Sequence, residues 1–122
     1  MIPTLLAFAT LAASLMPPAP YIRTLAPGET VRVLTVEQWR ATLAFPPEHQ
    51  YQAARVMMCE SGGNIHAVGA AGEQGAFQVL ARFHGPVPPT LEAQAQQAAR
   101  IVEAQGWWPW TTKDGCEQWR MR

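Results

Sequence analysis

Glu60 stands at the end of an apolar helical run, within Cys59-Glu60-Ser61-Gly62-Gly63, where helix physics disfavours a carboxylate. The last turn of a helix presents carbonyl groups with partial negative charge and prefers Lys, Arg or His. Glu60 follows Met57, Val56 and Ala53 at i+3, i+4 and i+7, so it projects from the same face as these apolar side chains. Burial on that face and the negative end of the helix dipole both favour a carboxyl that keeps its proton near neutral pH. A protonated carboxyl is what a general acid needs to cleave a glycosidic bond. The segment that follows has glycines at 62, 63, 69, 72 and 75, and its lack of bulk leaves room for an extended polymer. The plain alternative is a solvated glutamate at a helix end.

The other residues with available chemistry are few. Cys59 and Cys116 are the two cysteines of the chain. In an oxidising compartment such a pair reads as a disulfide, which a small exported domain uses to supplement a limited core. Two free buried thiols or a metal site are the alternatives, but no C-x2-C or H-x3-H spacing accompanies them. His66 and His84 read as surface loop residues without a metal or nucleophile partner. Ser61 reads as a cap or an orienting group for Glu60, Gln78 as a polar residue at a helix start or a hydrogen-bonding group of a cleft, and Phe77 as core before cleft. Trp107 and Trp110 read first as packing around the cysteines and second as sugar-stacking surfaces.

The elements that position these residues are mostly helical. Thr35 and Gln38 have capping-box spacing, and Val36, Trp39 and Leu43 share a face of a first helix. Pro46-Pro47 ends that helix and opens a second, predicted over roughly 47–60. Residues 68–75 predict a loop or small hairpin, and Phe77-Gln78-Val79-Leu80 a short helix start. Thr90 is the expected N-cap of a helix to about Gln105, with Leu91, Ala95, Ala98 and Val102 as its apolar stripe and Gly106 as its stop. An aromatic tail follows, Trp107-Trp108-Pro109-Trp110 and then Trp119. The fold class is α-dominated (α+β), with a minor β-hairpin or Gly-rich loop and one disulfide.

Residues 1–16 carry no charged side chain and end at Pro17-Pro18-Ala19-Pro20. They are short for a membrane span and fit the apolar region of a signal peptide, with an uncleaved anchor or a cytosolic helix as alternatives. The expected organisation is a signal peptide or anchor over 1–19, a linker or arm over 20–34 containing the β-like run Thr30–Leu34, and one domain over 35–122. The chain of 122 residues is 48% hydrophobic and 15% charged with zero net charge. That composition suits a globular core and gives no reason to expect a nucleic-acid partner.

The ordered set Glu60-Ser61-Gly62-Gly63-Asn64, Ala67-Val68, Gly72, Gly75 and Phe77-Gln78 resembles the lytic transglycosylase domain of the lysozyme-like superfamily. Leu91-Glu92-Ala93-Gln94, Arg100-Ile101-Val102, Gln105-Gly106-Trp107, Trp110 and a late Cys116 look like its compact resuscitation-promoting-factor relatives, so the resemblance covers residues 47–116. The chain departs from that pattern at Ile65-His66, Ala76 and Ala81. The resemblance implies a lysozyme-like fold, cleavage of the MurNAc–GlcNAc β-1,4 bond of peptidoglycan, and Glu60 as the single acid and base. It implies Ser61, Gly75, Phe77, Gln78 and Trp107 on the substrate side and a Cys59–Cys116 bridge. No cofactor or metal is expected. The expected partner is the glycan strand, met by an exported monomer that touches the membrane only if residues 1–16 are retained. A lysozyme-type hydrolase using Glu73 as second carboxylate, and a non-catalytic wall-binding or signalling module, are the alternatives. Asp114 and Glu117 are further carboxylates that a 59–116 bridge would draw toward the helix end.

Overall fold

Residues 34–116 are described by the computed structural model. Residues 1–33, on which the expected signal peptide and most of the expected arm fall, and residues 117–122, with Glu117 and Trp119, lie outside the described residues. Helix α1, Val36–Thr42, starts on the capping box written in its sequence. Thr35 Oγ1 accepts from the Gln38 backbone N–H at 3.1 Å, and Gln38 Oε1 accepts from the Thr35 N–H at 3.0 Å. The helix packs against the two long helices through its small residues, Ala41 and Thr42. The expected Val36–Trp39–Leu43 face is not the buried one, because Val36 and Leu43 stay 60% and 42% exposed. A two-turn helix makes its close approach through small side chains, and the Thr42 hydroxyl is satisfied locally by the Trp39 carbonyl at 2.6 Å.

Helix α2, Pro47–Ser61, has proline at its first position and ends on Gly62, whose φ of +65° closes the last turn. Ala53, Ala54, Val56 and Met57 are fully buried, so the face that leads to Glu60 is the core face of the domain. The glycine-rich segment then folds back as two isolated antiparallel bridges, Val68 to Gln74 and Gln74 to Val79. Gln74 exchanges both backbone hydrogen bonds with Val79 at 2.9 Å, and Gly69 N–H reaches the Glu73 carbonyl at 2.8 Å. The bridging commits Val79, so the short helix α3 runs Ala81–His84 and does not begin at Phe77.

Helix α4, Leu91–Gln105, is capped by Thr90 Oγ1, which accepts from Ala93 N–H, and stops at Gly106. Ala95, Ala98, Ile101 and Val102 are buried as its periodicity requires, but so are Gln94 and Gln97. Those two amides hold loops. Gln94 Oε1 accepts from Ala76 N–H at 2.8 Å, and its Nε2 donates to the carbonyls of Ile65 and Pro88 at 3.1 and 2.9 Å. Gln97 Nε2 donates to the Pro86 carbonyl at 3.2 Å. Phe45, Phe77, Trp107 and Trp110 form a continuous aromatic core, with ring centroids 5.4 to 5.8 Å apart. The fold is therefore helix-dominated with little strand. Among the described residues, no helix is long and apolar enough to cross a membrane.

Candidate active site

Glu60 lies in the last turn of α2, half-buried, where the core face meets a cleft of about 400 Å³. Glu73, from the bridged loop, lines the same cleft, as does Gln78 beside it. Leu80, Ile101 and Trp110 supply its apolar surface, and Pro109 and Thr111 its rim on the C-terminal side. His84, expected as a surface loop residue, also lines it, because α3 turns the half-buried ring inward. The larger hollow of the molecule, about 690 Å³ between Phe45, His49 and α4, holds neither carboxylate. The larger hollow carries titratable groups too, His49, Arg100 and Glu103, but the carboxyl shifted by its surroundings, Glu60, opens on the smaller cleft.

Burial pushes the Glu60 carboxyl above its ordinary value; the Thr112 hydroxyl pulls in the opposite direction, and the nearby Glu73 carboxylate adds to the rise. Thr112 Oγ1 is buried and makes no hydrogen bond in this structure; it stands near enough to the Glu60 carboxyl to oppose the rise. A carboxyl in this setting holds a proton at higher pH than a surface glutamate and can deliver it to an oxygen in the cleft.

The disulfide joins Cys59, the residue before Glu60, to Cys116, with Cα atoms 5.6 Å apart. It fixes the tail to the end of α2, and other contacts on that helix repeat the tie. Gln52 Nε2 and Arg55 Nη2 both donate to the Lys113 carbonyl, at 2.8 and 3.0 Å. Trp110 Nε1 donates to the Phe77 carbonyl at 2.8 Å and locks the same tail to the bridged loop.

The remaining expected site residues divide between cleft and scaffold. Ser61 is a clamp: its hydroxyl donates to the Ala76 carbonyl at 2.7 Å and accepts from the N–H groups of Gly63 and Asn64. Gly75 is buried, with a φ of +81°. Phe77 is core at 1% exposure, and Trp107 stacks on Phe45 and donates to His49 Nδ1 at 3.1 Å, away from the cleft. Gln78 is the residue that serves both ends. It lines the cleft, yet its Nε2 donates to the carbonyls of Ala67 and Gly75, and its backbone takes a positive φ of 51°. Asp114 is exposed, pairs with Lys113 Nζ at 3.4 Å and does not line the cleft.

Thr112 is the residue that sequence reasoning missed. Its signal was the cysteine pair, because a bridge beginning next to Glu60 brings the residues just before Cys116 to the same helix end. Among the described residues, no group of three or more His, Cys, Asp and Glu side chains is placed to hold a metal ion. Comparison of the chain with known protein families, with curated proteins and with solved structures finds no match.

Proposed function

We propose that this chain is a peptidoglycan-cleaving enzyme of the lytic transglycosylase type, with a lysozyme-like fold and Glu60 as its acid and base. The observation that carries the reading is the Glu60 carboxyl itself, half-buried at a helix end, pushed toward its protonated form and open to a cleft. The ordered motif from Glu60 to Gln78 supplies the substrate class through its resemblance to that family.

In this reading Glu60 donates its proton to the oxygen between MurNAc and GlcNAc as the bond breaks. The substrate's own N-acetyl group stabilises the positive charge at the anomeric carbon. The Glu60 carboxylate then takes the proton of the C6 hydroxyl, whose oxygen closes on that carbon to give a 1,6-anhydro end. Leu80, Trp110 and Pro109 present apolar surface to sugar faces, and Gln78 offers its amide oxygen. The domain responsible would be residues 35–122, exported behind residues 1–19 and the arm 20–34, and acting as a monomer. The disulfide supports export, because such bridges persist in oxidising compartments.

Glu73 gives a second reading a specific basis, since it shares the cleft and sits close enough to raise the Glu60 pKa. With Glu73 guiding water, the product would carry a reducing end. Digestion of purified sacculi by the wild type and by Glu60→Gln, followed by mass analysis of the released muropeptides, tests both readings. Anhydro products from the wild type and none from the variant are expected. Reducing ends select the Glu73 hydrolase, and equal release by both proteins rejects catalysis by Glu60 and leaves a wall-binding module.

A further inference from the structure

Thr112 carries an inference that rests on the reading of Glu60 as the acid and extends it to a second residue. Its hydroxyl is buried and makes no hydrogen bond in this structure, while the residue before it, Thr111, lines the cleft together with Glu60. Unpaired buried hydroxyls are costly, so a fold that retains one has a group for it to meet. The backbone around Thr112 is tied to α2, the helix that carries Glu60. The carbonyl of the next residue, Lys113, accepts from Gln52 and from Arg55, and Cys116 is bonded to Cys59. Gln52, Arg55 and Cys59 are spaced i, i+3 and i+7, so they form one stripe beside the stripe that ends at Glu60. On the other side, Trp110 is hydrogen-bonded to the Phe77 carbonyl. Thr112 is held from both flanks.

We propose that Thr112 is the positioning residue for the Glu60 carboxyl, and that the disulfide and the Lys113 carbonyl ties exist to hold it there. A hydroxyl suits this task because it has one donor and two acceptor sites. It donates to the unprotonated oxygen of the carboxylic acid, leaving the acid proton aimed at the substrate, and donates to the carboxylate after proton transfer, so one side chain orients Glu60 in both halves of the cycle. Lysine or arginine in its place would hold the carboxylate permanently ionised and abolish the acid. The other titratable side chains lining the cleft are Glu73 from the bridged loop and His84 from α3; neither is tied to α2 in this way.

The test compares Thr112→Val and Thr112→Ser by two readouts. Side-chain carboxyl titration followed by carbon NMR, with Glu60 assigned through Glu60→Gln, needs no substrate. Thr112→Val should move the Glu60 midpoint to higher pH than in the wild type, and Thr112→Ser should leave it in place. In sacculus digestion, Thr112→Val should shift the alkaline limb of the pH profile upward and lower turnover about tenfold with KM unchanged, about the worth of one hydrogen bond to a charged group. Thr112→Ala replaces the valine variant if that protein does not fold. An unmoved Glu60 midpoint in a folded variant that lacks the hydroxyl overturns the proposal. Inactive wild type with a moved midpoint instead overturns the enzymatic reading and leaves the Thr112 contact standing.

Discussion

The Gln94 side chain of α4 lies directly against the backbone of Gly75: a Cβ at residue 75 would stand 2.6 Å from Gln94 Oε1. The same oxygen accepts from Ala76 N–H, and the same amide donates to Ile65 and Pro88. One buried side chain on the core face of α4 thus holds the loop that supplies Glu73 and Gln78 to the cleft. Gly75 is required twice, by that close approach and by its positive φ.

Gln94→Ala should therefore strand one buried donor and two half-buried acceptors, at a cost of about 3 kcal/mol. Gly75→Ala should cost about 1–3 kcal/mol through backbone strain and displacement of the amide. Because the two residues touch, the double variant should be less destabilised than the sum of the singles. Urea midpoints of all four proteins measure this, and additivity within about 0.5 kcal/mol would contradict the contact.

Trp110→Phe removes the N–H that meets the Phe77 carbonyl while keeping an aromatic ring in the core. The stranded carbonyl is buried, so the expected loss is about 1–3 kcal/mol. Trp107→Phe removes a hydrogen bond to the half-buried His49 side chain, which water can replace. Thermal melting should rank Trp110→Phe as the more damaging change, and the reverse order would show that the tail is not held through Phe77.

The features readable from sequence are the ones set by neighbours along the chain. Thr35 and Thr90 cap their helices and Gly62 and Gly106 stop theirs, because each motif spans only a few residues. The inward path from Ala53 to Glu60 follows from helical period alone. Gln94, Gln97 and Thr112 were not readable in this way. Their partners are loop carbonyls, an amide and a carboxyl brought close only by tertiary packing, and a polar residue within an apolar period carries no mark of what it meets. His84 was misplaced for a related reason: the bridge at Val79 delays α3 by several residues and turns its last residue to the cleft. The assignment of Ser61 to the substrate side overlooked a carbonyl, that of Ala76, lying 15 residues further along the chain.

Replacing both cysteines by serine should lower stability by about 4 kcal/mol, the chain-entropy worth of a loop closed between Cys59 and Cys116. Reductant should cost the wild type a similar amount and leave the double variant unchanged. Urea denaturation with and without reductant checks both statements. A wild type indifferent to reductant would mean that the Lys113 and Trp110 ties alone hold the tail.

Glu60 should oppose folding at neutral pH. Its carboxyl binds a proton more tightly in the folded protein than in the unfolded chain, since burial and Glu73 raise its pKa above the ordinary 4.5. The stability it allows is therefore full below the unfolded value and is lost as pH rises from there through the folded value. Glutamine at this position keeps the shape and removes the titration. Glu60→Gln should melt above the wild type at pH 7, and the two melting temperatures should converge as pH falls below the ordinary carboxylate range. Glu73→Gln removes one source of the rise, so the effect of Glu60→Gln on melting should be smaller in that background. Melting curves from pH 3 to 8 on the wild type, the two single variants and the double variant measure the effect. A difference that is constant across that range would mean that the Glu60 carboxyl ionises as freely in the fold as in water, and the acid proposed for the cleft would lose its physical basis.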